Sequence, residues 1–278
     1  LQDRGGYTAL HFAIPNEDDT ALKKLLRAGA DVRIVNKDGL TPLAAGLENP
    51  EIMRVLMKYG AEVSFSALRE AVRINKLDVF KTLIEKGGHP GARGPKDRTL
   101  LFHVAEFDPG SSGVAMGQYL IDQGIDVNAK SATGKTALEW SLETEKYEYA
   151  RLLLQNGADI TFDAMTIVIE KQNERMLKLL VEHGADVTMR GPDGETLLFY
   201  VTEDSTNQSL WRFLLDQGID VNATRDDGTS AFRNAITQGM YQFAKFLKEH
   251  GAKSNASESK SDTEGSTNES NGNSADEI

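Results

Sequence analysis

Leucine stands four residues before glycine at eight places along this chain, and the eight glycines are almost evenly spaced. They are Gly29, Gly60, Gly87, Gly124, Gly157, Gly184, Gly218 and Gly251, separated by 31, 27, 37, 33, 27, 34 and 33 residues. The leucines are Leu25, Leu56, Leu83, Leu120, Leu153, Leu180, Leu214 and Leu247. The surrounding phrases recur as well: "LIDQGIDVNA" ends at Ala129 and "LLDQGIDVNA" at Ala223. Self-similarity at a period near 33 residues predicts a solenoid, in which each unit buries its apolar face only by stacking on its neighbours.

The pattern inside one period gives the unit. Seven residues before each glycine stand Leu22, Met53, Phe80, Gly117, Ala150, Leu177, Trp211 and Ala244. Positions three and four apart share a helix face, so each segment reads as a helix with one buried side. Glycine then ends it, because it takes the left-handed conformation without a Cβ clash. Upstream lies a second, shorter helix, written "TALHFA" from Thr8, "TPLAAG" from Thr41 and "TLLFHV" from Thr99. The same element reads "TALEWS" from Thr136, "TLLFYV" from Thr196 and "SAFRNA" from Ser230. A Thr or Ser at that place opens a helix by accepting a backbone N–H bond. Turn formers such as "NKDG", "SATG", "GPDG" and "RDDG" precede it.

A turn, a short helix, a reversal, a longer helix and a glycine stop at this period resemble the ankyrin repeat. "TALHFA" and "TPLAAG" match that family's T-P-L-H-x-A signature, and "GADV" and "GIDVNA" match its repeat end. The resemblance covers residues 1–253 as eight repeats. It implies an all-α solenoid of stacked helix-turn-helix units with short β-hairpin or turn connections. The third and sixth repeats depart from the pattern. They are 27 residues long and lack most of the turn region, and their inner helices are expected to start at Ser66 ("SALREA") and Asp163 ("DAMTIV"). The first repeat carries an insertion, "PNEDDT", and the fourth another, "EFDPGSSG". The order short, long, regular occurs twice, and the first two repeats fit as the later members of an earlier block. The chain thus reads as a triplicated three-repeat block, with the first short repeat expected upstream of Leu1.

The end of the array shows in the residue three before each glycine. It is Leu26, Met57, Ile84, Ile121, Leu154, Val181 and Leu215, and then Lys248. This position is expected to face the next repeat, so the charge marks a terminal cap. Residues 254–278 follow, with six acids, one Lys, no aromatic residue and Ile278 as the only large aliphatic. Such a segment is expected to be disordered, with a role as an interaction tail left open. The whole chain carries a net charge of −11 and no basic stripe, so no nucleic acid partner is expected. The absence of cysteine excludes disulfides, zinc thiolate sites and cysteine nucleophiles. No apolar run approaches the roughly 18 residues of a membrane span. A monomer is expected, and an intracellular location is favoured, with export behind a cleaved leader left open.

Little in the sequence points to catalysis. Of five histidines, His11 occupies the family's own histidine position, where the resemblance implies hydrogen bonding to adjacent turns. His183 and His250 each precede a terminal glycine and are placed to meet a helix C-terminus. His103 falls on an inner helix, and His89 follows a shortened repeat. No H-E-x-x-H, P-loop, G-x-G-x-x-G or G-x-S-x-G pattern is present. No catalytic, cofactor-binding or metal-binding residue is therefore assigned. Trp211 and Trp140 are expected in the core. Phe102 and Phe199 stand where the first repeat has His11, with core packing and ligand contact both open.

What remains is surface recognition. The resemblance implies a concave groove, formed by hairpin tips and the exposed side of the inner helices, that binds a protein partner. Carried onto this chain, the tips supply Arg4, Lys37, Asp38, Lys96, Arg98, Thr133, Lys135, Asp193, Glu195, Arg225, Asp226 and Asp227. The inner helices and following turns add Tyr7, Leu40, Glu48, Asn49, Glu143, Thr144, Thr237 and Gln238. Lys and Arg gather toward the middle and acids toward the C-terminal end, a pattern that sets specificity and on-rate. For each residue, an ordinary solvated turn position is the alternative. The expected function is a non-catalytic scaffold or inhibitor. One alternative is a regulatory or targeting fragment of a larger protein or secreted effector. Another is a small-molecule enzyme or binder using the inserted loops at 106–113 and 202–209. Asn128 and Asn222, each after Asp-Val and eight residues beyond Leu120 or Leu214, resemble the pattern that asparaginyl hydroxylases recognise in ankyrin hairpins. A purely structural hydrogen-bonding role is the alternative there.

Overall fold

The computed structural model describes residues 1–15, 19–107, 111–202 and 208–253. The acidic tail at 254–278 and the middles of the three inserted segments lie outside these. Among the described residues the chain is helical, and its one β feature is an isolated antiparallel bridge between Thr224 and Ser230. The connections expected as β-hairpins are therefore turns of hairpin shape without strands.

The polypeptide divides into two compact units, Leu1–Ala185 and Asp186 onward. The first holds six repeats. Their inner helices are α1 (Ala9–Ala13), α3 (Pro42–Ala45), α5 (Phe65–Arg73), α7 (Leu100–Phe107), α9 (Ala137–Glu143) and α11 (Phe162–Glu170). The outer helices are α2 (Asp19–Arg27), α4 (Pro50–Lys58), α6 (Leu77–Glu85), α8 (Ser111–Asp122), α10 (Tyr147–Gln155) and α12 (Glu174–Glu182). Each inner helix packs on its own outer helix, successive inner helices from α1 to α11 pack on one another, and α8, α10 and α12 stack likewise. The second unit holds a 3-10 turn at Leu197–Tyr200, then α13 (Gln208–Asp216), α14 (Ala231–Thr237) and α15 (Tyr241–Glu249).

The Leu-x-x-x-Gly phrase works as a lock. Each of the eight repeat-end glycines has φ between +82° and +96°. That left-handed residue turns the chain so that the next N–H reaches back to the leucine carbonyl, as from Ala158 to Leu153 at 3.0 Å and from Ala252 to Leu247 at 2.9 Å. The leucine side chain meanwhile points into the core. Seven of the eight are fully buried, and Leu25 in the first repeat is half-buried. Each buried Leu contributes about 1.5–3 kcal/mol relative to exposure. Trp211 is buried as expected. Of the residues three before each glycine, Leu26 and Leu154 are buried and the other five apolar ones half-buried. Lys248 is exposed, with its Nζ 5.7 Å from the Phe232 ring centroid.

Three local expectations need correction. The helix α5 starts at Phe65 rather than Ser66, because the Ser64 hydroxyl accepts from the Ala67 N–H at 3.3 Å. By the same logic α11 starts at Phe162, with Thr161 accepting from Ala164 at 3.0 Å. The expected inner helix "TLLFYV" is a single 3-10 turn, closed by a Phe199 N–H to Thr196 carbonyl bond of 3.1 Å, and Val201 is already extended.

Candidate functional site

The hairpin tips share one construction. At the second repeat, the Asn36 N–H donates to the Leu40 carbonyl and the Gly39 N–H to the Asn36 carbonyl, both at 3.0 Å. The same two bonds recur at 94–98, 131–135, 191–195 and 225–229. Neighbouring tips are then joined by one backbone bond: Lys37 N–H to Gly5 carbonyl, Ala132 to Lys96, and Asp226 to Asp193, at 2.9, 2.8 and 2.9 Å. The shortened third and sixth repeats supply no such tip. Tips therefore come in three pairs, from repeats one and two, four and five, and seven and eight.

A side chain braces each pair. Arg93 Nη1 donates to the carbonyls of Asp97 and Lys130 at 3.0 and 2.9 Å. Arg190 Nη1 does the same to Gly194 and Thr224 at 2.7 and 2.8 Å, and Gln2 Nε2 to Gly6 and Val35 at 2.8 and 3.0 Å. Sequence reasoning missed all three. The one available signal was that Arg93 and Arg190 both precede Gly-Pro at the same place in the block.

Beneath the tips, polar side chains tie successive repeats, His11 and Glu139 from buried positions. His11 bonds the Thr8 hydroxyl through Nδ1 at 2.9 Å and the Leu40 carbonyl through Nε2 at 3.0 Å, the linking role implied for it. Glu139 takes this part in the fifth repeat, accepting from the Thr136 N–H at 2.9 Å and the Thr161 hydroxyl at 2.8 Å. Asn128 donates to the Gly157 carbonyl at 3.2 Å and accepts from Asp159 N–H at 2.9 Å. Asn222 repeats this clamp on Gly251 and Lys253 at 3.1 and 2.9 Å. Both amides thus hold the following repeat end in place. His183 and His250 each meet a carbonyl of their own helix, Leu179 at 2.9 Å and Phe246 at 2.8 Å.

The sequence-assigned surface divides by burial. Arg4, Lys37, Asp38, Glu48, Lys96, Thr133, Thr144, Asp193, Asp226, Asp227, Thr237 and Gln238 are exposed. Tyr7, Leu40, Asn49, Arg98, Lys135, Glu143 and Arg225 are half-buried. Several of these are already engaged: the Tyr7 hydroxyl donates to Asp38 at 2.7 Å, Lys135 pairs with Glu143, and Asn49 caps α4. The Asp38 carboxylate holds the Tyr7 phenol above its ordinary pKa.

Burial corrects the surface placement of Glu195 and decides Phe102 and Phe199 for the core, against ligand contact. Phe102, Glu195 and Phe199 are buried and offer no surface to a partner. An aromatic ring in the place of His11 has no polar edge to satisfy, so it turns into the core. Phe199 is moreover covered by the Arg225 guanidinium, 4.3 Å from the ring centroid. Glu195 folds onto its own tip, accepting from the Asp193 N–H and the Tyr200 hydroxyl at 2.8 Å each. Burial opposes its ionisation, but those donors, its own N–H and Arg225 outweigh burial and keep its carboxyl below the usual range. Trp140 is also corrected: it is half-buried, with the Arg98 guanidinium 4.3 Å from its ring centroid.

Open depressions lie in the first unit. One, of about 700 Å³, is lined by Ile14, Gly46, Glu48, Asn49, Glu70 and Arg73 among others. Another, of about 520 Å³, lies between the fifth tip and α11, where the sixth repeat has no tip to fill it. Among the described residues no group of three or more His, Cys, Asp or Glu is placed to hold a metal ion, and no helix is long and apolar enough to cross a membrane. Of the loops expected as a small-molecule site, 106–113 and 202–209, residues 108–110 and 203–207 lie outside the described residues.

Comparison with known proteins agrees with this architecture. The chain is similar over 158 residues to human neurogenic locus notch homolog protein 1, at 32% identity, covering 56% of this chain and 5% of that protein. It is similar over 155 residues to an ankyrin repeat protein of Rickettsia bellii, at 30% identity, covering 54% of this chain and 21% of the relative. The chain thus spans about a fifth of that relative's length, and far less of the notch protein's. In fold it is similar to the human ASB11 ankyrin repeat domain, with TM-score 0.60, 17% identity, and 77% of this chain and 99% of that one covered. An ankyrin repeat domain from Acinetobacter baumannii gives TM-score 0.57 at 23% identity, covering 67% of this chain and 98% of that one. Family models for ankyrin repeats match residues 1–45, 68–164 and 165–258. With paired tips, linked inner helices and these matches together, the chain belongs to the ankyrin repeat family, whose repeats are general protein–protein interaction modules.

Proposed function

We propose that this chain is a non-catalytic scaffold or inhibitor that holds a protein partner across its hairpin tips and inner helices. The observation that carries this reading is the bracing of the tips. Backbone bonds and the Gln2, Arg93 and Arg190 side chains consume the tips' own polar groups. Exposed side chains such as Lys37, Lys96, Thr133, Asp193 and Asp226 are then displayed on a fixed frame. A preorganised surface loses less entropy on binding, and its mixed charge selects among partners. A second reading, that the chain is the binding part of a larger protein, is favoured by the small share it covers of its relatives.

The test is affinity capture from the native host with the full chain, alongside a Lys96→Glu/Asp226→Lys variant of equal melting temperature. A partner recovered by the natural chain and depleted by the variant is the expected result. Identical recoveries, or none, would refute the reading. Hydroxylation of Asn128 and Asn222 is a separate proposal, resting on the sequence resemblance. Peptide mass spectrometry of protein from its native host tests it, and one added oxygen at neither residue leaves only the clamp.

A further inference from the structure

We propose that the inner-helix face of α5, α7 and α9 is a docking strip for an acidic peptide segment of a partner protein, held by Arg69 and Arg98. This rests on the protein-binding reading above and names the chemistry of the partner at one part of that surface.

The three helices pack side by side, and aromatic rings and guanidiniums alternate across them. His103 on α7 is 5% exposed. Its ring meets Phe65 edge-on at 5.6 Å and stacks on Phe107 at 6.0 Å between centroids. The Arg69 guanidinium lies 5.5 Å from the Phe107 centroid, and that of Arg98 lies 4.3 Å from Trp140. A guanidinium laid on a ring is held by its face, which leaves its N–H edge pre-aimed for bidentate bonding to a carboxylate.

Charge and hydrogen bonding both leave this strip incomplete. Three of its carboxylates are paired with cations, Glu70 with Arg73, Asp97 with Arg93 and Glu143 with Lys135, while Glu106 bonds the His103 ring and Glu139 bonds Thr136 and Thr161. Among the described residues, Arg69, Lys96, Arg98 and Lys130 have no such partner. Lys130 lines the acidic depression beside α11, so Arg69, Lys96 and Arg98 stand on the strip against the carboxylates of Glu106 and Glu139, in a chain of net charge −11. Arg69 Nε, His103 Nε2 and Trp140 Nε1 are buried without a hydrogen-bond partner, an arrangement that costs free energy until it is relieved. Two of the three are obligate donors, the guanidinium and indole N–H groups. Donors of this kind, flanked by cations, fit carboxylates. A polynucleotide fits less well. The rings are already covered by guanidiniums, which leaves little open face for base stacking, and the acidic chain repels a long polyanion while a few carboxylates need only local complementarity.

The test starts from the full chain panned against a displayed random dodecapeptide library. A selected synthetic peptide is then titrated by fluorescence anisotropy and by NMR of the two tryptophan indole N–H signals. The selected peptides should be rich in Asp and Glu. Arg69→Gln and Arg98→Gln should each weaken binding about tenfold or more at unchanged melting temperature. The indole signal that is absent in Trp140→Phe should move, and that of Trp211 should not. Neutral or basic peptides, no peptides, or an affinity in both variants equal to that of the natural chain would overturn the strip. Peptide binding that is insensitive to both variants but lost in Asp193→Lys/Asp226→Lys would overturn it while leaving the scaffold reading intact. Acidic peptide binding as described, with no host protein captured, would instead count against the scaffold reading alone. A dT12 oligonucleotide that binds and is lost in the arginine variants, with no acidic peptide selected, would reassign the strip to nucleic acid.

Discussion

Replacing Gly117 with alanine sets two physical effects against each other, and the structure decides the sign. Gly117 lies on α8 at the register where other outer helices carry Leu22, Phe80 or Trp211. Helix propensity alone favours alanine by about 1 kcal/mol. A Cβ at this place, however, would lie 2.5 Å from Tyr149 Cε2 and 2.9 Å from Leu152 Cδ2. Both neighbours are buried, and the Tyr149 hydroxyl donates to the Leu101 carbonyl at 2.9 Å. Moving the ring away sacrifices that bond, roughly 0.5–1.5 kcal/mol. Forcing the methyl into a packed site costs about 1–3 kcal/mol more. The net expectation is a loss of about 1–3 kcal/mol, or very roughly 2–10 °C in melting temperature for a domain of this size. Circular dichroism in heat and urea measures it. Tyr149→Ala should also cost less in the Gly117→Ala background than in the natural chain, because the two share one space. A Gly117→Ala chain as stable as its parent would show that the glycine is not there to admit Tyr149.

Three further outcomes follow from the same geometry. Leu153→Ala should cost about 2–5 kcal/mol through a core cavity, whereas Glu143→Ala, which breaks a partly exposed pair, should cost less than about 1 kcal/mol; equal urea midpoints would contradict the register. Asn222→Ala removes a donor to Gly251 and the acceptor for Lys253, so about 1–2 kcal/mol should be lost and the Lys253 amide should exchange faster, which hydrogen exchange reads directly. Burial, opposed by Glu106 and reinforced by Arg69 and Arg98, holds the His103 pKa below its ordinary value. The folded protein therefore takes up that proton less readily than the unfolded chain, and stability present above about pH 6.5 is lost as pH falls. His103→Gln should flatten the decline in urea midpoint between about pH 7.5 and pH 5; an unchanged slope would exclude His103 as its source.

The repeat period was legible because the lock is local: leucine, glycine and the following N–H belong to one short phrase and bond to one another. His183, His250 and Trp211 were legible for the same reason, since a helix end or a helix face fixes what each can meet. The inner-helix starts were less so, because both Ser64 and Ser66 are able to cap a helix and only the bond to Ala67 chooses between them. The near-identical sextets "TLLFHV" and "TLLFYV" form a helix and a 3-10 turn respectively, so their own residues do not settle the matter. At the surface, the place of His11 was identified, but the direction of a side chain there depends on its chemistry: Phe102 turns inward while Glu139 reaches the next repeat. The tip braces were hidden most deeply. Gln2, Arg93 and Arg190 all brace through backbone carbonyls, with Arg93 adding a bond to the Asp97 carboxylate, and a carbonyl acceptor leaves no mark in the sequence.

The pairing of tips also explains why this chain counts in threes. A tip-to-tip bond spans repeats one and two, four and five, and seven and eight, and the intervening 27-residue repeats carry none. A cut made within such a repeat severs no bond between tips and divides no pair. Blocks of 97 and 94 residues, measured from glycine to glycine, therefore each contain one whole pair of tips. A chain lengthened or shortened by one such block would gain or lose two fingers together, each with its neighbour.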